Sequence, residues 1–103
     1  MNKAPLLTPL PIGKVQMLNG SFVGRQVDLN KILTTLGQPG VQVIAITRRN
    51  NGFFIVQVEN KNGEPPKVNG EPLSHNARQL VDNDMVEMLG IKMVFSSPDS
   101  GCT

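Results

Sequence analysis

Val41-Gln42-Val43-Ile44-Ala45-Ile46-Thr47 and Phe53-Phe54-Ile55-Val56-Gln57-Val58-Glu59 flank Arg48-Arg49-Asn50-Asn51-Gly52. Both runs are rich in β-branched and aromatic residues, and Asn-Gly supplies the positive φ angles of a tight turn between twisted strands. The stretch therefore predicts a β-hairpin. Because Val43–Ile46 and Phe53–Val56 are apolar without alternation, both faces of these strands are expected to be covered, which puts the hairpin in the middle of an all-β core.

The segments outward from the hairpin have the same character. Lys14–Leu18, Ser21–Val23, Pro66–Val68, Val86–Leu89 and Lys92–Phe95 read as further short strands separated by Gly, Asn, Asp and Pro, the pattern of a sandwich or barrel. Gly90 is placed to make the turn of a closing hairpin. Residues 1–13, with Pro5, Pro9 and Pro11, read as a flexible leader, 14–96 as the domain, and 97–103 as a tail. One segment reads two ways. Leu29, Ile32, Leu33 and Leu36 follow i, i+3, i+4, i+7 spacing between Asp28 and Gly37, so 28–37 is either a short helical insert or a loop, ten residues being few for a helix without tertiary support.

Composition narrows the chemistry. With 103 residues the chain has room for one core. No apolar run reaches the roughly 18 residues of a membrane helix, and the N-terminus lacks the pattern of a signal peptide, so an intracellular protein is expected. Cys102 is the only cysteine and His75 the only histidine, which removes intramolecular disulfides, Cys-based or His-pair metal sites and ordinary hydrolase triads. No enzyme and no cofactor is expected. Asp82-Asn83-Asp84 opens like a calcium loop but lacks Gly at the sixth and Glu at the twelfth position. The net charge of +2 is dispersed, and four Phe without Tyr or Trp give few stacking surfaces. A small nucleic-acid-binding β-barrel is thus a weaker reading than a protein-binding module.

Gly24-Arg25, Asn62-Gly63, Val68-Asn69-Gly70-Glu71-Pro72-Leu73 and Leu80-Val81-Asp82-Asn83-Asp84-Met85-Val86-Glu87-Met88-Leu89-Gly90 occur in an order that resembles the forkhead-associated (FHA) domain, over about Lys14 to Ser96. The resemblance implies a β-sandwich of about eleven strands in a protein-protein interaction module that binds phosphothreonine peptides, often within a larger nuclear regulatory or scaffold protein. It matches Arg25 to the family's phosphate-side arginine and Asn62 to the asparagine that contacts the peptide backbone. A phosphate carries up to two charges and three acceptor oxygens, so it needs such cations and donors on a rigid frame.

The family's Ser-x-x-His element has no counterpart. Counted back from the Asn-Gly turn it falls on Gly40-Val41-Gln42-Val43-Ile44, which holds no Ser, Thr or His. Each lost charge-assisted bond costs about 1.5–3 kcal/mol, roughly ten- to a hundredfold in affinity, so phosphothreonine recognition is expected to be lost or weakened. Aligning Thr47-Arg48-Arg49-Asn50 with the element instead leaves only eleven residues before Asn62, too few for the strand, turn and strand the family has there. Pro65-Pro66 removes two more donors beside Asn62. The candidate phosphopeptide set is Arg25, Arg48, Arg49, Lys61 and Asn62; the alternatives are a surface role for Arg25 and turn roles for Arg48, Arg49 and Asn62. Ile32, Leu33 and Leu36 form a candidate partner surface, for another protein or for self-association.

Overall fold

The computed structural model describes residues 10–61 and 63–98. Most of the leader (1–9), Asn62, and the end of the tail (99–103) with Cys102 lie outside the described residues. Among the described residues ten strands follow one another: β1 (Lys14–Met17), β2 (Gln26–Asp28), β3 (Leu33–Gln38), β4 (Gln42–Arg49), β5 (Gly52–Asn60), β6 (Lys67–Val68), β7 (Glu71–Pro72), β8 (Arg78–Leu80), β9 (Met85–Met88) and β10 (Ile91–Ser96). They form two antiparallel sheets, β2-β1-β10-β9-β6-β7 and β3-β4-β5-β8. No helix occurs among the described residues, and none is long and apolar enough to cross a membrane.

The hairpin read from the sequence is β4–β5, closed at Arg49↔Gly52 by Asn50-Asn51. Positive φ falls on Gly52 alone (133°). Coverage is less symmetrical than the apolar runs imply. Ile44, Ala45 and Ile46 of β4 are all buried, but β5 alternates, with Phe53 and Ile55 inward and Val58 exposed. The core between the sheets is built from inward residues of both, including Val15, Ile44, Ile46, Phe53, Ile55, Val86, Met93 and Phe95. Phe53 and Phe95 meet edge to face at 5.2 Å. Gly13 lets the chain pass beside them, since a Cβ there would lie 2.8 Å from the Phe53 ring.

Two-residue turns close two further hairpins. Leu89-Gly90, both at positive φ (52° and 72°), joins β9 to β10, the backbone of a type I′ turn. Asn69-Gly70 does the same between β6 and β7 (54° and 84°). The Asn69 side chain also locks the segment read as a calcium-loop look-alike: Nδ2 donates to Asp84 Oδ1 at 2.9 Å, and Oδ1 accepts from Met85 N at 2.9 Å. Buried Asp84 further accepts from Val81 N, and Asp82 accepts from Ser97 N.

Two expectations are corrected. The helical insert at 28–37 does not form; the segment runs extended and ends in β3, paired from Leu33↔Thr47 to Gln38↔Gln42. A partner strand satisfies its backbone groups better than a ten-residue helix with two adjacent threonines and a nearby glycine at φ 127° could. The stripe is not one face: Leu29 is buried and Leu36 half-buried, while Ile32 and Leu33 point to solvent. The expected strand Ser21–Val23 is instead a turn bracketed by Gly20 and Gly24, both at positive φ. Pairing also begins before β1: Pro11 O, Ile12 O and Gly13 O accept from Arg48 Nε, Ser97 Oγ and Leu29 N.

Candidate functional site

One end of the sandwich gathers the loop 18–25, the β3–β4 turn, residues 60–61 and 63–66, and the Leu89-Gly90 turn. Asn19 ties the first to the last: its Oδ1 accepts from Lys92 N at 2.8 Å and its Nδ2 donates to Gly90 O at 3.2 Å. The other two are joined through Gly40 N, which donates to Glu59 Oε1, and Lys61 N, which donates to Val41 O. A groove of about 360 Å³, lined by Phe22, Leu36, Met88, Leu89 and Met93 among others, runs between the loop and the turns.

Arg25 sits here, exposed, with its guanidinium 5.4 Å from the centre of the Phe22 ring. The preceding Gly24 has φ 87° and open space around a virtual Cβ, so backbone conformation rather than room selects glycine. That turn is pinned by Arg25 N to Phe22 O and by Gly24 N to Met17 O. Arg25 forms no ion pair among the described residues. Lys61, at the same end, is exposed and 3.7 Å from Glu59, a contact worth little in water. Asn62, between Lys61 and Gly63, lies outside the described residues.

The structure separates Arg48 and Arg49 from this group. β4 carries them through eight residues, about 22–24 Å over its seven steps at 3.2–3.4 Å each, to the opposite end. Arg48 is a strut: Nε donates to Pro11 O and Nη1 to Asn30 O, each at 2.8 Å. Arg49 lies 5.8 Å from the Phe54 ring centre.

Gln42 was not singled out by sequence. It is fully buried, and Nε2 donates to Asn60 Oδ1 at 2.9 Å and to Glu64 O at 2.6 Å, clamping both sides of the 61–63 segment. The Glu64 carbonyl fixes which way the amide faces, and Oε1 has no partner among the described residues. The signal available was a lone polar residue inside an apolar strand. Within Gly40–Ile44 no side chain carries a hydroxyl or imidazole, and the turn offers exposed Gly40 in that place. His75 is exposed in a loop, and no cluster of three metal-binding side chains occurs among the described residues.

The fold is that of FHA domains, an all-β sandwich of the FHA type. A structure solved for an analysis of phosphothreonine-dependent FHA domain interactions superposes with a TM-score of 0.67 at 18% identity, covering 82% of this chain and 95% of that one. The FHA structure of Rv0020c superposes with a TM-score of 0.63 at 19% identity, covering 84% and 92%. No protein-family model and no curated protein matches the sequence.

Proposed function

We propose that the protein is a non-catalytic protein-protein interaction module whose Arg25 end meets a peptide segment of its partner, with phosphothreonine recognition weakened. Support comes from one juxtaposition: an arginine that is exposed and has no carboxylate partner among the described residues stands at the same end as Asn60 and Glu64, both held by Gln42, while Gly40–Ile44 supplies no uncommitted side-chain donor for phosphate. Arg25 is the cation at this end that no described carboxylate pairs, Lys61 lying 3.7 Å from Glu59, and Asn62, by resemblance, contacts the peptide backbone. A place within a larger nuclear regulatory or scaffold protein belongs to the same reading and rests on the resemblance alone.

The test is calorimetric titration with a degenerate phosphothreonine peptide pool and its unphosphorylated twin, repeated on Arg25→Ala. The expected preference for phosphate is about tenfold, the low end of what one charge-assisted contact is worth. Micromolar binding of the phosphorylated pool alone, abolished by Arg25→Ala, would instead establish a full phosphothreonine reader.

A further inference from the structure

The four edge strands of the two sheets are not alike. β2 carries Asp28, β7 consists of Glu71 and Pro72, and β8 carries Arg78. Each is two or three residues long. The β7 and β8 edges are moreover laced to each other by Arg78 Nη1 and Glu71 Oε1 at 2.9 Å. Shortness, charge and proline are the devices by which sheets keep their edges from pairing with other strands. β3, the fourth edge, has none of them. Leu33-Thr34-Thr35-Leu36-Gly37-Gln38 is six residues long, without charge or proline, and it continues from exposed Ile32 (64%) into exposed Leu33 (51%).

We propose that β3 is a homodimerisation edge, pairing antiparallel with β3 of a second copy about a two-fold axis through Thr35. The inference is independent of the function proposed above. The strand is complementary to itself in this register. On the core-facing side Thr34 meets Leu36 of the second copy, both being half-buried in the single chain. On the outward side Thr35 meets Thr35, a favourable cross-strand pair. Leu33 then lies beside Gly37, which sets no side chain against its exposed isobutyl group. The nearest charge, Lys31, precedes the strand and falls opposite position 39, a proline, so no like charges are opposed. Pairing would satisfy the outward backbone groups of β3 and join the two four-stranded sheets into one of eight.

The axis places residue 35 opposite itself, which gives a sharp test. Sedimentation equilibrium of the full chain, in reductant so that Cys102 forms no disulfide, is run on wild type, Thr35→Lys, Thr35→Glu and an equal mixture of the two variants. Thr35 is exposed, so both variants should melt like wild type. Wild type is expected to approach twice the 11.2 kDa chain mass with rising concentration. Each variant alone should associate at least about tenfold more weakly, because like charges face one another, and the mixture should regain the dimer. A wild-type chain that stays at single mass into the millimolar range overturns the proposal. So does a dimer indifferent to Thr35→Lys, or a mixture that fails to recover.

Discussion

Arg48 and Arg25 stand at opposite ends of the same sandwich and do opposite things. Arg48 spends its donors on the carbonyls of Pro11 and Asn30, holding the chain's entry into the fold against the segment after β2. That end is also locked by Asn69–Asp84 and by Asp82–Ser97. Arg25 makes no ion pair with a described residue and lies on an exposed phenylalanine above a groove. A guanidinium whose donors are taken by backbone holds the fold; one left in solvent on a pinned turn is available to a partner. The locked end should therefore govern stability and the open end binding.

Substitutions should expose this division. Asp84→Ala strikes the locked end hardest, because Val81 N and Asn69 Nδ2 both lose a buried acceptor. Unfolding free energy should fall by about 3 kcal/mol, read by denaturant melts. A loss below about 1 kcal/mol would show that the lock is solvated. Arg48→Ala should cost about 2 kcal/mol, with Arg48→Lys restoring little, since one ammonium cannot span both carbonyls as the fork does. Gln42→Leu stands between the two ends in kind. We expect about 1–2 kcal/mol of destabilisation, accompanied by movement of the Lys61, Gly63 and Glu64 amide signals while those of Asp84 and Ser97 stay put. Unmoved loop signals would mean that the clamp does not set the loop. Arg25→Ala should change stability by less than about 0.5 kcal/mol and show itself only in binding.

How much of this was legible in the sequence follows from the range of the interactions. The β4–β5 and β9–β10 hairpins could be read because a turn signal and its flanking strands lie within a few residues of each other. The segment 28–37 could not: its leucine spacing favours a helix locally, and it is pairing with β4 across the Pro39-Gly40-Val41 turn that draws it into a sheet instead. β7 and β8 are too short to show periodicity. At the candidate site, Arg25 was found through its Gly-Arg context. Gln42 was hidden because its role depends on a loop 18 residues further along folding back onto it. Arg48 and Arg25 look alike as letters, and only the length of β4 tells which end each occupies.

The most direct test of this division of labour is an NMR titration of the assigned domain with a phosphothreonine peptide and its unphosphorylated twin. The account predicts amide shifts clustered at Arg25, Gly40 and Lys61, of similar extent for both peptides, with Arg48, Arg49 and Asn69 silent. Shifts centred on the Asn50-Asn51 turn, or phosphate-dependent binding about a hundredfold tighter than that of the unphosphorylated peptide, would contradict it.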